Sequence, residues 1–329
     1  MLNNKKDIEL WLKKYGIKNY TINDDLTIDV NENAHICNTS LKEIPVQFNI
    51  VKGNFDCSHS GLTSLKGCPN IINGNFYCDN NKLTSLEGGP KEVKGNFNCS
   101  SNELTSLEGC PKEVNGNFYC YDNELTSLEE GPKEVNGIFN CYDNKLTSLK
   151  GCPKEVKGNF YCYDNKLTSL EEGPTIVKGS FDCTHNKLTS LKGCPKEVGG
   201  TFSCSDNELT SLEGCPKEVN GPFDCFNNKL TSLKGCPNII DGHFYCDNNK
   251  LTSLEGCPKE VEGNFNCSFN GLTSLKGCPN IIDGHFYCDN NKLTSLDYLP
   301  RVDINSIHSD FSKEYILDFF IKNRPEDLI

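Results

Sequence analysis

Residues 115–135 read Asn-Gly-Asn-Phe-Tyr-Cys-Tyr-Asp-Asn-Glu-Leu-Thr-Ser-Leu-Glu-Glu-Gly-Pro-Lys-Glu-Val, and variants of this phrase fill most of the 329-residue chain. Leu-Thr-Ser-Leu opens at Leu62 and returns every 21 residues, without slippage, as far as Leu293; a degenerate copy begins at Leu41. Thirteen copies at one fixed step mean that each copy is one turn of a stacked coil rather than a bead on a string. Phe118 and Cys120 alternate with Asn117, Tyr119 and Tyr121, so a short strand puts the first pair inward and the other three outward. The next turn lays an equivalent strand beside it, parallel and about 4.8 Å away. Leu125, Leu128 and Val135 turn inward, and Gly131-Pro132 prevents a helix on the return side. That side is expected to be irregular, extended or a single 3₁₀ turn.

Comparing the copies with one another identifies the shared columns. Phe recurs from Phe55 to Phe286 and a glycine two residues earlier from Gly53 to Gly284, twelve times each. The rings form the core spine, and so constant a glycine implies positive φ or close approach between turns. An asparagine three residues after the strand cysteine recurs from Asn81 to Asn291, with Ser60 in the first copy. An inward amide has donors and acceptors for the backbone groups of adjacent turns, so this column reads as a structural ladder. The 21 cysteines also fall into columns. One runs from Cys57 to Cys288 in all twelve full copies; a second precedes the proline in eight, with Gly89, Gly131, Gly173 and Leu299 elsewhere. Pairing the columns would leave four thiols over, so they read as small, reduced core residues in a reducing, intracellular compartment.

Phe-x-Cys-x-x-Asn-x-Leu-x-x-Leu resembles the leucine-rich-repeat signature, with Phe and Cys at two strand leucine positions. The short repeat is similar to the compact repeats of bacterial effectors, and closer to the Cys- and Asn-bearing arrays of phages, giant viruses and AT-rich bacteria. The resemblance implies a right-handed repeat solenoid with a concave parallel β-sheet of short strands, usually serving protein recognition. It covers residues 36–300, between an N-terminal cap over 1–35 and a C-terminal cap over 301–329. Ile8, Trp11, Leu12 and Tyr15 predict an amphipathic helix in the first cap, followed by an extended segment from Tyr20 to Val30. Tyr315, Ile316, Phe319 and Phe320 predict a second helix, N-capped by Ser312.

Chemistry is sparse. There is no phosphate loop, nucleophile elbow or His-Glu-x-x-His motif, and the chain reads as a non-enzyme without cofactor or metal. Six histidines are scattered; His243 and His285 match because residues 235–254 and 277–296 are identical, and two turns place them roughly 10 Å apart, too far to share an ion. A net charge of −12 disfavours nucleic acid and anionic membrane as partners. No apolar stretch approaches the roughly 20 residues of a membrane span, and the N-terminus does not read as a signal peptide. The Thr and Ser rows read as hydroxyls satisfying turn amides.

What varies between turns is the outward strand face. Tyr119, Tyr121, Tyr142, Tyr161 and Tyr163 cluster over three adjacent turns, bordered by Asp122, Asp143 and Asp164. Tyrosine offers amphipathic contact area at low entropic cost, and an acidic border suits a basic protein segment. The expectation is a monomeric protein-binding scaffold using this patch. The alternative is a passive or expanding array, in which tyrosines suit exposed strands and spread by copying.

Overall fold

A computed structural model describes residues 1–328; Ile329, the last residue of the expected C-terminal cap, lies outside them. The chain divides into two units, residues 1–166 with 172–174, and residues 167–171 with those from 175 onward. Each is a solenoid built mainly of parallel two-residue strands.

In the first unit, strands beginning at Phe55, Phe76, Phe97, Phe118, Phe139 and Phe160 pair in unbroken register, so that Phe118 lies between Phe97 and Phe139. The Phe118 N–H donates to Ile138 O at 2.8 Å and the Cys120 N–H to Asn140 O at 2.9 Å. Ring centroids along this spine are 5.1–6.2 Å apart, and every ring is buried. The second unit repeats the pattern from Phe181 to Phe286 and adds Ile307–His308 at its end.

The return side is extended and paired. Two-residue strands such as Glu113–Val114, Glu134–Val135 and Glu155–Val156 bond in parallel with their valines inward, forming a second ladder. Among the described residues 3₁₀ turns occur only at Ile304–Ser306 and Pro325–Leu328, in the C-terminal segment. Lysines after the repeat proline also join turns: Lys133 Nζ donates to Gly151 O at 3.0 Å and Lys154 Nζ to Glu172 O at 2.8 Å.

Two ladders of side chains cross the turns. Asn123 Nδ2 donates to Cys99 O, Cys120 O and Tyr121 O at 3.1–3.2 Å, while its Oδ1 accepts the Leu104 N–H at 3.0 Å. Strand thiols donate to the next turn, as from Cys99 to Tyr119 O at 3.4 Å. Among the described residues all 21 cysteines are free thiols. Every strand cysteine is buried, but in the second column Cys194, Cys215, Cys236, Cys257 and Cys278 are partly exposed, so that site is small without being sealed. The glycine column is explained by close approach rather than positive φ: a Cβ on Gly158 would lie 2.7 Å from the carbonyl carbon of Gly137. The left-handed conformation falls instead on the residue before each inward asparagine, at φ between +50° and +55°.

The ends carry helices. α1 (Lys5–Lys14) is capped by Asn4, whose Oδ1 accepts the Asp7 N–H at 3.0 Å, and buries Ile8 and Leu12 with Trp11 against Phe48. The extended segment that follows is a hairpin, Tyr20–Ile22 against Thr27–Val30, whose second strand runs parallel to Gln47–Val51. α2 (Lys313–Asn323) is capped by Ser312 and buries Ile316 and Phe320. Tyr315, expected on the buried stripe, is exposed and stacks on Phe311 at 4.7 Å. Arg324 fastens the helix end to Pro300 O and Leu299 O at 2.8 and 2.9 Å.

Candidate functional site

The candidate tyrosines lie wholly within the first unit, and backbone register fixes their spacing. Tyr119, Asn140 and Tyr161 occupy one outward column because Phe118, Phe139 and Phe160 are paired beside them. Tyr121, Tyr142 and Tyr163 occupy the next. These three stack nearly coplanar: Tyr121 on Tyr142 at 4.6 Å and 6°, Tyr142 on Tyr163 at 4.5 Å and 7°. Tyr119 and Tyr161 do not meet, since Asn140 stands between them in register; each instead packs edge-on, against Tyr121 at 6.4 Å and Tyr163 at 6.3 Å. Asn140 is only 8 % exposed, although its column points outward.

Stacking decides what the patch offers. Both faces of Tyr142 are covered by neighbouring rings, so it presents its edge and hydroxyl rather than a π-face. Two amides orient the outer pair: Asn117 Nδ2 donates to Tyr119 Oη at 2.9 Å and Asn159 Nδ2 to Tyr161 Oη at 2.6 Å. These asparagines are missed by sequence reasoning because their column is irregular, with Ile138, Ser180, Thr201, Pro222 and His243 in other turns. It is nonetheless a third side-chain ladder across the turns, in which Asn117 Oδ1 accepts the Ile138 N–H and Asn96 Oδ1 the Asn117 N–H, both at 2.8 Å.

Asp122, Asp143 and Asp164 are exposed and run beside the stack. Each sits in the left-handed region, at φ +55°, +50° and +51°, where Asp and Asn are tolerated better than most residues. Backbone geometry thus favours a short polar residue without fixing its charge, as Asn80 and Ser101 show in other turns, and it tolerates Phe269 in one. Partial burial, followed by the charges of Asp122 and Asp164, pushes the Asp143 carboxyl above its ordinary range. Burial likewise raises the phenols of Tyr119 and Tyr142.

The second unit bears a different outward surface. Where Thr184 Oγ1 donates to Asp182 at 2.8 Å, the next turns place Ser203 with Ser205 and Asp224 with Phe226. Ser203 Oγ therefore reaches across to Asp224 Oδ2 at 2.9 Å, while Ser205 Oγ and Asp224 Oδ1 are buried without a protein partner. Among the described residues no group of three or more His, Cys, Asp or Glu side chains is placed to hold a metal ion. No helix there is long and apolar enough to cross a membrane.

No protein-family model matches the sequence, and the comparison with curated proteins finds no match. Solved structures do match. YopM from Yersinia enterocolitica aligns with 80 % of this chain at TM-score 0.57 and 22 % identity; this chain spans 63 % of its length. YopM from Yersinia pestis, described as a leucine-rich effector protein, aligns with 85 % of this chain and 88 % of its own at TM-score 0.50 and 17 % identity. The leucine-rich-repeat domain of APL1 aligns with 89 % of this chain and 100 % of its own at TM-score 0.50 and 13 % identity. With its 21-residue period, paired parallel strands and inward asparagine ladder, the chain has the leucine-rich-repeat fold.

Proposed function

We propose that this protein is a non-enzymatic scaffold that binds a protein partner on the tyrosine–aspartate face of its first unit. The observation that carries the reading is the three-ring stack of Tyr121, Tyr142 and Tyr163 beside the carboxylates of Asp122, Asp143 and Asp164. The rings are held by one another before any partner arrives, so little side-chain entropy is lost on binding. Because the central π-faces are used within the stack, a Lys- or Arg-bearing segment is held by carboxylates and phenol edges rather than by an aromatic cage. The abundant free thiols suit a reducing, intracellular setting, and the net charge of −12 again favours a basic protein over nucleic acid or an anionic membrane.

The test is affinity capture from host-cell lysate with three chains: the wild type, one with the five tyrosines changed to Ala, and one with Asp122, Asp143 and Asp164 changed to Asn. Circular dichroism controls for folding. A partner retained by the wild type, lost from the tyrosine variant and weakened in the aspartate variant supports the proposal; added salt should reduce its binding. Equal capture by all three chains, or none by any, removes this face from consideration. The second reading, a passive array, is favoured by the identity of residues 235–254 with 277–296, since a specialised surface diversifies turn by turn.

A further inference from the structure

The end of the second unit leaves one imidazole without the partner that its position normally supplies. His243 stands in the same column as Asn117, and its Nδ1 accepts the Asn264 N–H at 2.9 Å, as an asparagine oxygen does in other turns. His285 lies in the identical copy of that segment. The residue 21 positions beyond it is Ser306, whose N–H instead donates to Asp303 O at 2.9 Å, closing the turn at Ile304–Ser306. His285 Nδ1 lies 3.2 Å from His308 Nε2.

Both rings are set by their surroundings and both are exposed. The His285 N–H donates to Asn264 Oδ1 at 2.9 Å, fixing its backbone. His308 pairs in register with Tyr287 and stacks on its ring at 4.3 Å and 12°. Two imidazole nitrogens this close require a shared proton or a shared cation. A hydrogen bond suits one choice of tautomers. The separation also fits a chelate, because metal–nitrogen bonds of about 2.0–2.1 Å at a near-tetrahedral angle put the nitrogens roughly 3.1–3.4 Å apart.

We propose that His285 Nδ1 and His308 Nε2 form a two-imidazole site for a borderline divalent transition metal of the Zn²⁺, Ni²⁺ and Cu²⁺ class. Ligation through these atoms places the remaining ring protons on His285 Nε2 and His308 Nδ1. Among the described residues no third protein ligand is grouped with them, so the other coordination positions are taken by water or by a donor from a bound molecule.

The experiment titrates Ni²⁺ into the full, reduced chain by calorimetry, with optical spectra recorded in parallel. Thiolate-to-nickel charge-transfer bands separate cysteine binding from imidazole binding. The variants are His285→Asn, which restores the residue used at this position in other turns, His308→Ala, and, as a control that keeps an acceptor for the Asn264 N–H, His243→Asn. The expected result is one site of imidazole character in the wild type and His243→Asn. In His285→Asn and His308→Ala it should weaken at least roughly tenfold, since loss of even a supporting partner gives about 10–100-fold. Three outcomes overturn the proposal: no binding by the wild type at millimolar Ni²⁺, equal binding in all four chains, or loss in only one of the two histidine variants.

Discussion

One amide at Asn123 serves three carbonyls and a backbone N–H, drawn from its own turn and the one before it. Replacing it with Ala leaves four polar groups without that partner. At roughly 1–3 kcal/mol for each buried orphan, Asn123→Ala should cost about 3 kcal/mol or more, measured by chemical denaturation. Asn117→Ala, which frees only the Ile138 N–H and the Tyr119 hydroxyl, should cost distinctly less. A different balance holds at Asp224, where burial raises the carboxyl pKa above its ordinary value of 3.8. The folded chain then holds that proton more tightly than the unfolded chain, so this group's contribution to stability falls as pH rises through the raised value. Asp224→Asn should therefore be the more stable chain at pH 7. Thermal unfolding between pH 7 and 3.5 should show that advantage closing as pH falls towards the ordinary carboxyl value, where both side chains are neutral. The Asn123 column is legible in the sequence because nothing else occupies it from Asn81 to Asn291. The Asn117 column is not, because an N–H acceptor there can be amide, hydroxyl or imidazole.

Strands only two residues long gain their stability from neighbours, so the spacing between turns governs each of them. Gly158→Ala would push a Cβ against the Gly137 backbone, which cannot rotate away as a side chain can. It should destabilise the first unit by roughly 1–3 kcal/mol or more, with amide exchange quickening first in the adjoining strands. The helices behave differently. Ser312→Ala removes the hydroxyl that accepts the Tyr315 N–H at 3.2 Å and should cost about 1 kcal/mol, confined in hydrogen exchange to α2. Period two in Phe-x-Cys makes the phenylalanine strands readable, whereas Glu134–Val135 is too short for any periodicity and shows itself only through pairing. Apolar spacing locates α2 but misplaces Tyr315, because the nearby Phe311 supplies a ring for it outside the core.

Over the whole molecule the thiols give the clearest test of order. Burial pushes the Cys152 thiol up to about 12 and raises Cys120 well above its usual value, so little thiolate forms near neutrality. Under a maleimide pulse at pH 7.5, the partly exposed Cys37 should be modified ahead of the strand cysteines, which should react only as denaturant opens the chain. Labelling of Cys99 or Cys120 in the native protein would contradict this order. At this scale the sequence discloses the repeat, the core columns and the position of the tyrosines, since all depend on a fixed 21-residue step. It does not disclose that Tyr142 is covered on both faces, nor that His285 meets His308, because one depends on rotamers and the other on a partner outside the repeat.

The side-chain bridges described above join a residue to one at a fixed offset in the adjacent copy, whatever its distance from the chain ends. Excising residues 235–276 would bring Lys234 to Gly277, the same residue type and following sequence that Lys234 meets at Gly235. Such a chain, shorter by two whole turns, is expected to fold with every remaining bridge in register, whereas a cut one residue longer would misalign every bridge at the seam. Length in this protein is thus a quantity that can change in integer steps, free within the register and forbidden between them.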